Sequence, residues 1–198
     1  MIKNLQPYYK TPNGDFVLHK GDSRNVASIL NGVRFDMVFA DPPYFLSNGG
    51  FSVQAGKCVS VNKGDWDASH GLEADTQFNY QWIKGCRELL KESGTIWVCG
   101  SYHNIFSVVN VLTELDFRIL NAVTWQKTNP PPNLSCRFFT HSTEILVWAR
   151  KSKKVAHYYN YELMRKLAGD RQMTDVWRMP AIAPWEKTCG KHPAQKPL

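Results

Sequence analysis

No apolar run in this 198-residue chain is long enough to cross a bilayer; the longest, such as "TIWVCG" and "EILVWA", are strand-length. The opening residues "MIKNLQPYYKTPNG" lack the hydrophobic segment of a secretion signal. Cysteine is scarce and odd in number. Cys58, Cys86, Cys99, Cys136 and Cys189 have no paired ligand spacing, which argues against a disulfide scaffold or a zinc site. The expectation is a reducing, cytoplasmic setting with no membrane attachment and no metal. Internal repeats and low-complexity tracts are absent too, which argues against solenoids and linker-like chains.

Acidic residues are in deficit at one end only. Residues 1–149 carry 13 Lys and Arg against 13 Asp and Glu, whereas residues 150–198 carry 11 against 4, so the whole net charge of +7 lies in the last quarter. A basic terminal segment is a candidate phosphate-binding face, and an ordinary solvated surface has the same composition.

Strand-like and helix-like segments alternate. "FVLHKGD" (Phe16–Asp22) reads as a short strand and "SRNVASILNG" as a helix closed by Gly32. "RFDMVFA" (Arg34–Ala40) has the continuous apolar character of a parallel strand covered on both faces. From Phe45 to about Glu73 the chain is loop-like and contains "KGDWD". A helix is predicted over Gln77–Leu90, followed by a strand "GTIWVCG", a helix near Asn104–Leu115 and a strand "FRILNAVTWQK". A proline-rich loop and the strand "EILVWAR" complete the pattern. The alternation predicts an α/β, doubly wound sheet with helices on both faces. Residues 1–150 read as the core and 151–198 as an appended basic recognition segment.

The segment "FDMVFADPPYFLSNGG" places Asp41, Pro42, Pro43 and Tyr44 where a buried strand ends, the usual place for ligands in open α/β sheets. Tandem prolines cannot continue a central ladder, but their carbonyls still accept hydrogen bonds. The Asp41 carboxylate and the Pro42 carbonyl are thus two acceptors on a stiff turn beside the Tyr44 ring. They suit a flat substrate with an exocyclic amino group. Gripping both N–H bonds favours a pyramidal nitrogen and frees its lone pair to attack a methyl sulfonium in line, without metal or covalent intermediate. Tyr44 is placed to stack on a base removed from the duplex, and the glycine-rich Asn48–Gly50 to act as a lid. Asp-Pro-Pro also serves as plain turn punctuation, and the tetrapeptide alone does not separate the two readings.

"DPPY", "WQKTNPPPNLSCRFFTHSTEILVWARK" and the terminal "GKHPAQKPL" resemble the β-class of S-adenosylmethionine-dependent amino DNA methyltransferases, over nearly the whole chain. The "KGDWD" segment brings the likeness nearest to the adenine-N6 methylases of bacterial restriction–modification systems, the GATC-modifying group among them. Asp-Pro-Pro-Tyr accompanies adenine in this family, whereas Ser-Pro-Pro-Tyr accompanies cytosine-N4. The resemblance implies a Rossmann-like methyltransferase sheet, S-adenosylmethionine as cofactor and DNA as partner. It makes Asp41, Pro42, Pro43 and Tyr44 catalytic, with Asp41 and Pro42 also facing the cofactor. Asp22 matches the acid that pairs with the cofactor adenine, although an N-cap role fits it as well. His192, Pro193, Gln195, Lys196 and Pro197 match the cofactor-side motif, Lys196 opposite the methionine carboxylate; Ala194 stands where threonine is common.

The family's Phe-x-Gly-x-Gly cofactor loop does not occur before Leu198, and such loops bring backbone N–H groups against the cofactor. The expectation is a sheet lacking the cofactor-loop strands, with exposed edges and bare apolar faces, completed by a further C-terminal segment or by another chain, as in a homodimer. For DNA, Arg137 lies in the block resembling a recognition loop, and Asn129 and Asn133 are candidates to line the base pocket. Lys151, Lys153 and Lys154 are candidates for phosphate, and His157 and Tyr158 for contacts near bases. Two alternatives remain open: a non-catalytic DNA-binding fragment or half-enzyme, and an amino-methyltransferase acting on cytosine N4 or RNA.

Overall fold

A computed structural model describes residues 6–47, 49–54, 57–60, 62–188, 190, 192 and 194–197. The first elements are slight. β1 (Tyr9–Lys10) and β2 (Val17–Leu18) pair only with each other, as an antiparallel ribbon. The strand expected over Phe16–Asp22 is therefore cut to two residues outside the main sheet. Phe16 meets only the Tyr9 ring of the same ribbon among the described aromatic residues, centroids 6.2 Å apart, and Phe16, Val17 and Leu18 are all exposed. A 3-10 turn (Ser23–Asn25) leads into α1 (Val26–Ile29).

The main sheet is built from β3 (Phe35–Ala40), β6 (Leu90–Gly100), β7 (Arg118–Lys127), β8 (Thr143–Arg150) and β9 (Val176–Met179), in the order β3-β6-β8-β7-β9. β3 runs parallel to β6 and β7 parallel to β9, and β8 is antiparallel to both its neighbours. β9 belongs to the segment after Arg150, so part of that segment is sheet. The region 45–73 holds a hairpin, β4 (Phe51–Gln54) with β5 (Lys57–Ser60), and a 3-10 turn at Asp65–Asp67.

Two helices cover one face of the sheet. α2 (Leu72–Leu89) begins earlier than its apolar stripe, because Glu73 and Asp75 in the first turn complement the helix dipole and Arg87 does so in the last. Its stripe of Trp82, Ile83, Cys86 and Leu89 is buried. α3 (Ile105–Glu114) buries Ile105, Val108, Val111 and Leu112. It ends in a Schellman turn: Asp116 takes the left-handed conformation (φ 59°) usually given to glycine, and the Phe117 amide bonds the Leu112 carbonyl at 2.9 Å. These stripes meet Ile96, Val98, Val147 and Ala149 of the sheet in the main core.

The other face is less covered. Trp97 and Trp148 stack across β6 and β8 with ring centroids 4.9 Å apart, and Trp177 of β9 joins them. With Met37 and Phe39 of β3 they line an apolar cleft of about 540 Å3, which α4 (Tyr161–Leu167) borders through Met164. Met37 and Phe39 are 54% and 56% exposed, and among the described residues β3 stands at the edge of the sheet.

Candidate active site

The Asp-Pro-Pro-Tyr turn leaves β3 at its carboxyl end, and three other elements reach the same end of the sheet. β6 finishes there at Gly100, β7 finishes at Lys127, and the antiparallel β8 begins there with Thr143 and Glu144. Asn104, wholly buried at the start of α3, donates from Nδ2 to the Pro43 carbonyl at 3.1 Å and accepts from the Ser101 amide. Gly100 makes room for this: a Cβ there would stand 2.6 Å from Asn104 Oδ1 and 2.9 Å from Ile105 Cδ1.

An ionic network closes over the turn. Lys196 Nζ lies 3.2 Å from Asp41 Oδ1, 3.0 Å from Glu144 Oε2 and 2.9 Å from the Tyr44 hydroxyl, which donates to Glu144 at 3.0 Å. Lys127 Nζ holds the other Glu144 oxygen at 2.6 Å. Burial pushes the Glu144 carboxyl up, but Lys196 and Lys127 outweigh it and hold the group below its ordinary value. Burial lowers Lys196, and Glu144 and Asp41 outweigh that, so its ammonium is held on. Tyr44 is driven strongly upward by burial and by the Glu144 and Asp41 charges, and remains a neutral phenol. Burial likewise pushes the nearby Cys99 thiol up to about 12, which rules it out as a nucleophile near neutral pH.

The Tyr44 ring is 6% exposed, with Lys196 Nζ 4.6 Å and Lys63 Nζ 5.5 Å from its centroid. An ammonium over an electron-rich ring is favourable in itself. Beside it opens a cleft of about 270 Å3 lined by Asp41, Pro42, Tyr44, Lys63, Trp66 and Lys196, with His192 and Ala194 on its wall. A carboxylate and an ammonium side by side are complementary to a zwitterion, and the carboxylate rim accepts from an amino group.

Of the other sequence-predicted residues, Gln195 bonds the Glu186 carbonyl at 2.9 Å and shapes the segment that delivers Lys196. Pro197 is half-buried, and Pro193 falls outside the described residues. Asp22 is an N-cap: it accepts from the Arg24 amide at 2.9 Å and pairs with the Arg24 guanidinium, lining a different surface groove. Asn129 accepts from the Ala181 amide at 2.7 Å, and Asn133 ties its own loop by bonding Ser135 and the Phe138 carbonyl. Arg137 is exposed on that loop. Lys151, Lys153 and Lys154 follow β8 at the end of the sheet opposite the Asp-Pro-Pro-Tyr turn, where Lys151 pairs with Glu92 and Lys153 with Asp116. His157 packs edge-on against Trp148, and Tyr158 borders the apolar cleft.

Four residues at the site are not singled out as site candidates in the sequence reading: Asn104, Lys127, Glu144 and Asp67. Glu144 had a signal, since an acid heading an otherwise apolar strand at a carboxyl-end cluster calls for a partner. Asp67 had one as well, in an acid following tryptophan within a glycine turn; it is fully buried against the Asp-Pro-Pro-Tyr turn.

The DNA methylase family N6_N4_Mtase matches residues 35–198. Type II methyltransferase M2.MboI of Moraxella bovis is 50% identical over 194 residues, 98% of this chain and 71% of that protein. Type II methyltransferase M2.DpnII of Streptococcus pneumoniae is 52% identical over 193 residues, 97% of this chain and 71% of its own length. Among solved structures, the cytosine-N4-specific PvuII DNA methyltransferase superposes with a TM-score of 0.64 at 15% identity, covering 96% of this chain and 68% of that one. A complex of M1.HpyAVI with SAM superposes at 0.55 and 20% identity, covering 89% and 68%. At such identities the two structures speak for the fold.

Proposed function

Because the chain belongs to the DNA methylase family, we propose that it transfers a methyl group from S-adenosylmethionine to the N6 amino group of adenine in DNA, within GATC, as the modifying enzyme of a restriction–modification system. The observation that carries this reading is the carboxylate rim of Asp41, placed at a strand mouth next to a tyrosine and a held ammonium.

The residues present fit the amino-acid end of the cofactor: Asp41 and Lys196, 3.2 Å apart, match the ammonium and carboxylate of a methionine moiety. When bound, S-adenosylmethionine supplies an electrophilic methyl group on sulfur. Asp41 accepts from the adenine amino group and withdraws its N–H bonds from the ring plane. Entry of the base toward Tyr44 exchanges the ammonium over that ring for a stacked purine. Glu144 keeps Lys196 nearby during the exchange, because its other oxygen is anchored by Lys127. Asn104 keeps the Pro43 carbonyl turned inward, which holds the turn steady beneath the base. The open β3 edge and its apolar cleft support a further segment or a second copy seated there.

Labelled methyl transfer to a duplex containing GATC, against one with that site altered, tests the reading together with analysis of the methylated base. N6-methyladenine confined to the GATC duplex is expected, and N4-methylcytosine or no transfer would overturn it. Asp41→Ala should abolish turnover and change DNA affinity by less than about threefold, since only the rim is lost.

A further inference from the structure

We propose that Asp67 is the positioning residue of the catalytic turn, a buried anion around which the backbone after Pro43 is folded; its effect on methyl transfer rests on the function proposed above. The carboxylate has no solvent exposure, so its charge must be met by donors. Among the described residues, those donors come from the turn. Oδ1 accepts from the Tyr44 amide at 2.8 Å and the Phe45 amide at 3.0 Å, and Oδ2 accepts from the Leu46 amide at 3.2 Å and the Ser47 hydroxyl at 3.1 Å. The Asp67 carbonyl in turn accepts from the Ser47 amide at 3.1 Å.

Three consecutive amides do not converge on one carboxylate from an extended strand, where successive N–H groups point to opposite sides. Here the chain curls into an anion-binding nest, a form that uses a residue in the left-handed region. Phe45 supplies it, at φ 58°. A bulky, buried phenylalanine is a poor occupant of that region, and the conformation persists only where the surroundings dictate it. Asp67 is what dictates it.

Its own segment is shaped locally: Gly64 turns the chain at φ 131°, the Asp67 amide bonds the Gly64 carbonyl at 3.1 Å, and Trp66 Nε1 bonds the Lys63 carbonyl at 3.1 Å. The Ser47 hydroxyl also accepts from the Lys63 amide at 2.8 Å, which ties the two segments together. The result reaches the chemistry through one peptide plane. The Pro43–Tyr44 unit is held at its oxygen by Asn104 and at its nitrogen by Asp67, both wholly or almost wholly buried. That plane carries the Tyr44 ring, and with it the hydroxyl shared between Glu144 and Lys196.

The test uses the full-length protein with Asp67→Ala and Asp67→Asn, and reads amide hydrogen exchange beside kinetics. In Asp67→Ala the Tyr44, Phe45 and Leu46 amides should exchange at least about tenfold faster. The kcat should fall by about 100-fold with KM for DNA changed less than about threefold, as a displaced reacting group predicts. Asp67→Asn keeps one acceptor oxygen for Tyr44 and Phe45 and should recover part of the rate. Added formate should restore part of it to Asp67→Ala by occupying the vacated nest. Unchanged protection of the three amides would overturn the positioning role whether or not the protein methylates DNA. Lost protection with unaltered kcat, or an equal loss in kcat/KM through KM with no rescue by formate or asparagine, would overturn the link to catalysis. Absence of transfer by the wild-type protein would count against the proposed function instead, and the exchange measurement would still decide the role of Asp67.

Discussion

Replacing Glu144 by glutamine keeps its shape and removes its charge from between two ammonium groups. Glu144, Lys127 and Lys196 have side chains 14%, 19% and 28% exposed, so the network is shielded, though not sealed, from solvent. At separations of 2.6 and 3.0 Å, each contact has a gross attraction of roughly 5–6 kcal/mol at an effective dielectric of about 20, most of it offset by desolvation. Removing one partner of a buried pair costs about 3–5 kcal/mol. Lys196 retains Asp41 at 3.2 Å, and glutamine retains an acceptor for Tyr44, which brings the expected loss to about 2–4 kcal/mol. For a chain of this size that is a fall in Tm of roughly 5–15 °C. The pH dependence has a definite sign. Glu144 lies below its ordinary 4.5, so its contribution is present above that pH and is lost as pH falls through the folded value. Lys196 lies above its ordinary 10.5, so its contribution is complete below that pH and is lost only in stronger alkali. Tryptophan-monitored thermal unfolding of both proteins should therefore show a difference that is constant near neutrality and narrows in acid below 4.5. A Tm within about 2 °C of wild type at neutral pH, or a difference that persists in acid, would refute the reasoning. Lys153→Met, at an ion pair exposed on both sides, is the control and should leave Tm unchanged.

Gly100→Ala forces a methyl group onto Asn104 and Ile105; a cost of about 1–3 kcal/mol in urea unfolding is expected, with loss of methyl transfer as Asn104 releases Pro43. Wild-type stability in that variant would show that the close approach is not required. Arg137→Ala should weaken DNA binding, by about 1–3 kcal/mol if it grips a guanine, whereas Lys153→Ala should leave affinity and salt slope unchanged, since Lys153 stands at the far end of the sheet on Asp116. Fluorescence anisotropy across a salt series checks both, and the reverse order would return the DNA to the basic tail.

What could be read directly from the residues is what depends on neighbours in sequence. β3, β6 and β8 were legible because uninterrupted apolar runs of strand length have few other uses, and the α2 and α3 stripes because helical spacing repeats locally. The Asp-Pro-Pro-Tyr turn was legible as a candidate site because its carboxylate, carbonyls and ring are carried by adjacent residues. The rest of the site was not, for the same physical reason in each case. Tyr44 meets Asp67 across 23 positions and Glu144 across 100, and until the sheet brings those chain segments together both acids look like surface carboxylates. Charge counting found the surplus after Arg150 but had no means of finding its address. β8 runs antiparallel, so Glu144 at its head meets the catalytic turn while Lys151, just past its tail, is carried to the opposite end. Strand direction, which no local pattern encodes, thus decides that Glu144 and Lys127 stand at the Asp-Pro-Pro-Tyr turn and that Lys151 and Lys153 stand at the far rim. The same reversal explains why the segment past Arg150 must come back through α4 and β9: only a return crossing delivers Lys196 to Asp41.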